Sequence, residues 1–572
     1  MAEQFQISQV VSRLLINRGI NNKHLIESFI NPVMDKMHPP TKMKDIEAAV
    51  YMIKDKIREK KKIRIVGDYD VDGVISTYIL YQSLIKCGAY VDYAIPHRMK
   101  DGYGINKDII HQSKQDGVDT IITCDNGISA IEPIQYAKEL GLTVIVTDHH
   151  DIPFVEEEEG KRQFIRSAAD AIINPKQKEC TYPFKQLCGA GVVFKLIQYL
   201  YQSMGIKEEE AYPLLEFVGI ATVCDVVDLI DENRIFVKQG LAMMNQTENK
   251  GLRALIKETG LEDKVISTYH LGFIIGPCIN ASGRLDSARK GVELLLSETK
   301  EKAQELAKEL YELNQERKEM TQEGVEKAIE KIEKTEIKKD KVFVIYLSEL
   351  HESLAGIVAG RIKEIYHVPT IVLTDSEEGI KGSGRSIDGY NMFEELLKCK
   401  HLLSKFGGHP MAAGLSLQVE NMEPLRQTLN KLTELTEEDR IPKITLDMQL
   451  PLDSINYDFI QDVHTLEPFG KGNPKPLFGE KKIKVVRGMI LGQKKNVLKL
   501  KLRSPRDQFF DGIYFGSIEE FEKVIVEKYG VSELEKLYQG SNNNIYLDLV
   551  FYPGINQYNG NISIQLFIED FR

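Results

Sequence analysis

The sequence predicts an α/β protein in four parts: a parallel sheet covered by helices, a long linking helix, a smaller α/β domain and a C-terminal all-β barrel. Three observations carry this reading. Short β-branched runs, "KIRIV", "VDTIIT" and "LTVIVT", alternate with the helical patterns "VISTYILYQSLIKCG" and "SAIEPIQYAKELG", the signature of buried parallel strands joined by helical crossovers. From about Ser297 to Lys341 a charge-rich stretch keeps Ala303, Leu306, Ala307, Leu310 and Leu313 on one stripe and Val325, Ala328, Ile329 and Ile332 on another, as a long helix with a break at Gly324 would. After "EEDRIPKITLDMQL" the chain turns to short strands, "KIKVVRGMIL", "NVLKLKLRS" and "NIYLDLVFY", as in a small barrel.

Taken in chain order, residues 1–60 read as helical, and "HLIESFINPVMDKMHPP" closes on a Pro pair. The segment is placed with the first domain, residues 1–296. The linking helix follows over 297–340. "KVFVIYL" and "PTIVLTD" then restart an α/β pattern that ends in "FGGHPMAAGLSL", giving a second domain over 341–442, with the barrel at 443–572.

Composition bounds what such a chain does. At 572 residues, 42% apolar and 28% charged, it can bury several cores. No apolar run approaches the roughly 18 residues that span a bilayer, and the N-terminus lacks a signal-peptide pattern, so a cytoplasmic protein with no membrane contact is expected. Seven Cys without a CxxC pair fit reduced thiols better than disulfides or a zinc cluster. The net charge of -11 excludes a generally basic nucleic-acid binder, so any phosphate-binding face must be local.

The chemistry concentrates at the strand ends. "IRIVGDYDVDG" places Asp68, Asp70 and Asp72 before a glycine, much as a calcium loop begins, but the twelfth position from Asp68 is Ile79 where that loop needs a Glu. The run before the acids is also a strand rather than a helix. The next two strands end in "TCDNG" and "TDHHD", and a later helical run, "LLEFVGIATVCDVVDL", supplies Asp225. Parallel sheets bind ligands at the carboxyl ends of their strands, so Asp68, Asp70, Asp72, Asp125, Asp148, His149 and His150 can converge. An acid at one strand end is commonly a helix cap or turn residue, but a cap needs one acid per turn. So many like charges need cations, and carboxylates with imidazole suit a pair of Mn²⁺ or Mg²⁺ ions. No GxxxxGK[ST] loop is evident, so ATP hydrolysis is not implied.

Basic residues fall in a few places. "PHRMKDGYG" carries Arg98, "NASGRL" carries Arg284, and "GSGRS" carries Ser383, Arg385 and Ser386. A single Arg is by default a solvated surface residue. Here Gly382, Gly384, Gly407 and Gly408 allow a phosphate to approach the backbone, beside Arg385 and His409. Between Lys481 and Arg506 there are ten Lys or Arg and no acid. A groove that follows a phosphate backbone explains this better than a solvated strand face, with Lys494, Lys495 and Lys499 as contacts and Phe509, Phe510 and Tyr514 nearby.

"GDYDVDG", "CDNG", "TDHHD" and Asp225 resemble the successive motifs of the DHH phosphoesterase superfamily, and "GSGRS" with "FGGHPMAAG" resembles its associated C-terminal domain. "LLINRGI", "NASGRL" and "LEPFGKGNPKPLF" before a β domain are similar to the superfamily's bacterial single-strand-specific 5′ to 3′ exonucleases. The resemblance covers most of the chain and implies a parallel-sheet DHH domain, a DHH-associated domain and an OB-like barrel. It implies that Asp70, Asp72, Asp125, His149 and Asp225 bind two ions, with Asp125 bridging, and that His150 faces the scissile phosphate. Val66 stands where many relatives have a His, and Asp68 is expected to take over that coordination. The implied activity is hydrolysis of single-stranded DNA from its 5′ end to mononucleotides in DNA repair and recombination, with Asp125, Asp148 and His150 catalytic. The implied partners are single-stranded DNA and a single-strand-binding protein or helicase, and the chain is expected to be a monomer. Two other readings remain: an oligonucleotide or cyclic-dinucleotide phosphodiesterase of the same superfamily, and a non-catalytic DNA-binding replication scaffold.

Overall fold

The computed structural model describes residues 2–156, 162–376, 379–492, 495–558 and 561–572. Its first sheet contains strands β1 (Lys62–Val66), β2 (Tyr90–Ala94), β3 (Thr120–Cys124), β4 (Thr143–Thr147) and β5 (Ala171–Ile173), all parallel, in the order β2-β1-β3-β4-β5. Ile63, Ile65, Ile121, Ile122, Val144 and Ile145 are buried because helices cover both faces, which is why these strands read as continuous apolar runs. The strand order reverses between β1 and β3, and at that switch point the adjacent crossovers diverge and open a crevice.

Helix α1 (Val71–Lys86) follows β1, α2 (Gly189–Ser203) follows β5, and α3 (Leu215–Cys224) follows α2. The linking helix α4 spans Lys300–Lys334 without interruption, contrary to the break expected at Gly324. Gly324 is there for close approach, since a Cβ would lie 2.9 Å from Leu350 Cδ1 and 3.0 Å from Val358 Cγ2.

The second sheet contains β6 (Phe343–Tyr346), β7 (Thr370–Ser376), β8 (Gly379–Arg385), β9 (Lys405–His409) and β10 (Ala412–Leu417), in the order β9-β10-β8-β7-β6. Helix α5 (Ala355–Tyr366) packs on β7 and β8.

The C-terminal strands are β11 (Phe478–Leu491), β12 (Val497–Arg503), β13 (Phe509–Tyr514), β14 (Tyr546–Tyr558) and β15 (Asn561–Phe571). They run β11-β12-β13-β15-β14, and the pairing of β11 with β14 closes a five-stranded barrel. Closure leaves these strands no free edge.

The chain divides into two compact units, one of Met1–Met37, Val226–Lys238 and Ile444–Arg572, the other of His38–Asp225 and Gln239–Lys443. The first 37 residues, placed by sequence with the first domain, instead share the barrel's core: Leu14, Leu15, Ile26 and Phe29 are buried with Ile483, Leu500 and Phe551. Short amphipathic helices take whichever apolar surface buries them, and sequence adjacency does not say which.

Candidate active site

The loop after β1 turns straight into α1. Asp70 is the N-cap of that helix, its Oδ1 accepting from Gly73 N at 3.0 Å, so the ordinary capping role is real for this acid. Asp72 lies buried in the first turn and accepts from Gly189 N at 2.5 Å and Ala190 N at 2.8 Å, which aims the N-terminus of α2 at it. Gly189 has a second reason: a Cβ there would lie 2.7 Å from Asp125 Cβ. Asp125 follows β3, Asp148 to His150 follow β4, and Asp225 caps the C-terminus of α3.

These side chains form three overlapping donor sets: Asp68, Asp70 and Asp125; Asp72, His149 and Asp225; and Asp125, His149 and His150. Asp125 and His149 each belong to two. His149 Nε2 lies 3.1 Å from Asp125 Oδ1 and 3.7 Å from Asp72 Oδ2, and its Nδ1 lies 3.7 Å from Asp225 Oδ2. Asp68 Oδ1, Asp125 Oδ1, His149 Nε2 and Asp225 Oδ2 are buried without a hydrogen-bond partner. A folded protein rarely orphans four polar atoms in one place.

Electrostatics points the same way. Burial, then repulsion from neighbouring carboxylates, pushes Asp225 up to about 8 and Asp72 up to about 6, and raises Asp68 and Asp125 well above the carboxylate range. Burial, then the charge of His150, lowers His149 to about 3 and keeps it neutral, the form in which an imidazole ligates a metal. Hard oxygen donors with one neutral imidazole nitrogen fit divalent Mn²⁺ or Mg²⁺. Val66 ends β1 fully buried in the apolar core, while the Asp68 carboxylate belongs to the first donor set.

Asp148 differs from the other acids because its bonds are all made. Oδ1 accepts from His149 N, His150 N and His150 Nδ1, and Oδ2 accepts from Ile128 N. Burial alone would raise it, but the hydrogen bond and charge of His150, the charge of His149 and the Ile128 N–H together bring it to about 2. Its carboxylate orients His150. Tyr103, which no motif singles out, donates from its hydroxyl to the Asp125 carbonyl at 2.9 Å. Only the tertiary fold brings it there.

Three arginines converge beside this cluster. The Arg98 guanidinium lies 4.7 Å from the Tyr69 ring centroid, Arg284 donates to Ser353 O at 2.7 Å, and Arg385 donates to Ser383 Oγ at 2.9 Å. Burial, then repulsion from Arg98, lowers both Arg284, to about 10, and Arg385. Gly356, in the first turn of α5, is needed here because a Cβ would lie 2.6 Å from Arg385 Nη2. Ser386 does not join them: it is buried and donates to Tyr390 O at 2.6 Å, so its hydroxyl is unavailable to a phosphate. Gly408 packs directly on the Ala412 carbonyl, and the charge of His409 reaches Asp151, which is lowered first by its bond to Lys176. Beside Arg284 a cavity of about 780 Å³ is lined by Arg317, Lys318, Arg361 and Phe273, a cation group that sequence reasoning missed because it assembles from three separate helices.

On the barrel, Lys495 is exposed in a turn, Lys499 is held 3.0 Å from Asp511, and Lys494 lies outside the described residues. Phe510 and Tyr514 belong to the core, whereas Phe509 is exposed. A stacked pair not anticipated from sequence, Tyr552 and Phe567 at 4.8 Å between centroids, lies beneath the Lys475 ammonium.

Known proteins share these features. Residues 62–222 match the DHH family, N-terminal domain; residues 339–435 match the DHHA1 domain; residues 446–570 match the RecJ OB domain. The chain is 37% identical over 580 residues to the single-stranded-DNA-specific exonuclease RecJ of Bacillus subtilis, covering 100% of this chain and 69% of that one. It is 32% identical over 586 residues to the Haemophilus influenzae protein of that name, covering 98% and 95%. Among solved structures, RecJ of Thermus thermophilus in complex with Mn²⁺ superimposes with a TM-score of 0.80 at 24% identity, covering 100% of this chain and 77% of that one, and so shares its fold. An exonuclease RecJ bound to manganese matches at 30% identity with a TM-score of 0.58, covering 68% and 94%. Identity of this extent along the whole chain, with all three domains in the same order, means that the chain belongs to the RecJ family of single-stranded-DNA-specific exonucleases.

Proposed function

We infer that the protein is a metal-dependent exonuclease that hydrolyses single-stranded DNA from its 5′ end, releasing mononucleotides for DNA repair and recombination. The observation that carries this reading is the set of orphaned buried donors shared between overlapping metal-binding groups at the switch point of the parallel sheet. Asp68, Asp70, Asp72, Asp125, His149 and Asp225 would hold two Mn²⁺ or Mg²⁺ ions, with Asp125 common to both. When bound, such a pair lowers the pKa of water and offsets charge on the attacking and leaving oxygens of an in-line displacement.

The chain's own groups supply the rest. His150 is protonated at neutral pH: burial lowers it, but the hydrogen bond and charge of Asp148, together with the charges of Asp225 and Asp72, raise it to about 9. With Nδ1 engaged by Asp148, its Nε2–H serves a phosphate oxygen or the leaving oxygen. Arg98, Arg284 and Arg385 with Ser383 bind the terminal 5′-phosphate, and His409 closes the site; this sensor sets direction, which two ions alone cannot. The barrel binds the strand farther along through Lys495 and stacking aromatics. A small-substrate phosphodiesterase would have no evident use for it, and a scaffold would have no use for an intact set of acids. The same reading expects a cytoplasmic monomer that works with a single-strand-binding protein or a helicase; no helix among the described residues is long and apolar enough to cross a membrane.

The test is a panel of 5′- and 3′-labelled single strands, a duplex and a cyclic dinucleotide, each with Mn²⁺ or Mg²⁺. Labelled mononucleotide should appear first from the 5′-labelled single strand. Release from the 3′ end, or faster turnover of the dinucleotide, would overturn the assignment.

A further inference from the structure

Tyr103 lies in the loop between β2 and the helix Lys107–Gln115, the same loop that carries Arg98. Its hydroxyl donates to the Asp125 carbonyl at 2.9 Å and rests 3.3 Å from Nδ1 and 3.4 Å from Nε2 of His150. Near-equal distances, with the two rings crossing at 80°, describe packing against the imidazole rather than a bond to one nitrogen. The tyrosine ring also meets Tyr69 edge-on at 6.2 Å between centroids, and Tyr69 in turn carries the Arg98 guanidinium.

Asp125 needs this support. Its φ of 61° lies in the left-handed region, which Asp tolerates better than most residues but still enters at a cost. The next residue, Asn126, is tied down on all sides: its amide donates to Val66 O and Cys124 O, and its Oδ1 accepts from Ile105 N. The Asp125 N–H donates to Thr147 O at 3.0 Å. Its carbonyl is held by the Tyr103 hydroxyl, which joins the Ile105 N–H to Asn126 bond in linking this turn to the Arg98 loop. Tyr103 is itself 52% exposed, so it contributes little to core burial.

We propose that Tyr103 is a positioning residue of the metal centre: its hydroxyl fixes the backbone of Asp125, its ring backs the imidazole of His150, and through Tyr69 it joins both to the loop that presents Arg98. The proposal rests on the nuclease reading for its catalytic consequence, while its consequence for metal binding stands without it.

Two variants separate the roles. Tyr103→Phe removes the hydroxyl, with its contacts to the Asp125 carbonyl and the His150 nitrogens, and keeps the edge-on ring contacts with His150 and Tyr69, whereas Tyr103→Leu removes both. Mn²⁺ is titrated calorimetrically into metal-free full-length protein, and kcat and KM are measured on a long single strand. For Tyr103→Phe the Mn²⁺ affinity should weaken about threefold or more and kcat fall about tenfold, with KM within about twofold and the metal-free melting temperature within about 2 °C. Tyr103→Leu should lower kcat further without a further loss of Mn²⁺ affinity. Parental Mn²⁺ affinity in Tyr103→Phe, or a loss of kcat accompanied by a large fall in melting temperature or failure to fold, would overturn the proposal. If the parent binds Mn²⁺ but cuts no single strand, the nuclease reading fails while the calorimetric comparison still decides the role of Tyr103.

Discussion

His150 Nδ1 sits 2.8 Å from Asp148 Oδ1, and that carboxylate is already fixed by three backbone N–H groups. Burial lowers the His150 imidazole, and among the groups that raise it the Asp148 hydrogen bond comes first. In metal-free protein the His150 imidazole should titrate near 9 and drop by more than one unit in Asp148→Asn, read by NMR of the ring carbons. The stability from this pair is complete below the unfolded-state value of about 6.5 for His and above about 4 for Asp. It is lost as pH rises through about 9 or falls through about 2. An unchanged His150 titration in Asp148→Asn would contradict the pairing.

The acids of the donor sets behave in the opposite sense. Asp225 at about 8 and Asp72 at about 6, with Asp68 and Asp125 also raised, hold protons in the folded state that they have released in the unfolded state. Stability of the metal-free protein therefore falls as pH rises from about 4 to 8. Ions take the place of those protons. The rise in melting temperature on adding Mn²⁺ should be larger at pH 8 than at pH 5.5, and an equal rise at both would contradict this.

Arg385 and Ser383 share one face of β8, and Gly356 leaves room for the guanidinium. Arg385→Ala should lose about 10- to 100-fold of the preference for 5′-phosphorylated over 5′-hydroxyl strands, the size of a lost charge-assisted contact. Gly356→Ala should shift the preference the same way without removing any charge. Competition between the two strand types measures it, and an unchanged preference in Arg98, Arg284 and Arg385 variants alike would place the sensor elsewhere.

Lys495 and Lys499 are expected to diverge. Lys499 is held by Asp511, whereas Lys495 projects from a turn. Lys495→Ala should flatten the salt dependence of binding to long strands by up to about 0.7 in log–log slope, the value for one phosphate contact on a single strand, and Lys499→Ala should change it less. Cleavage of very short oligonucleotides should be unaffected by either. Equal losses on long and short strands would mean that these lysines support folding rather than a groove.

The sheet and its acids were legible because buried parallel strands read as β-branched runs and each of three ended in carboxylates. Their convergence followed from the strand-end rule, whereas Asp225 sits at a helix end and the ligand set was implied by the family resemblance. Residues 1–37 were not legible: their apolar stripe says that they pack, and only the tertiary structure says that they pack with the barrel. Gly324 reads as a helix break in one dimension and as a contact point in three. The unavailability of Ser386 was not legible, because it lies just past the end of β8 and its hydroxyl is taken up by the Tyr390 carbonyl. Tyr103 and Gly189 carried no sequence signal, because each acquires its role by meeting Asp125 across the fold.

On the function proposed for this site, the buried acids hold two divalent ions about Asp125. Calorimetric titration of Mn²⁺ into metal-free protein near pH 8 tests it most directly, alongside Asp125→Asn. Two equivalents should bind the parent. Asp125→Asn should bind at most one, weakly, lose turnover to below a tenth of the parent, keep its single-strand affinity within a few fold, and melt higher than the parent without metal because one repelling charge is gone. Parental Mn²⁺ stoichiometry in Asp125→Asn, or no Mn²⁺ binding by the parent, would contradict the account.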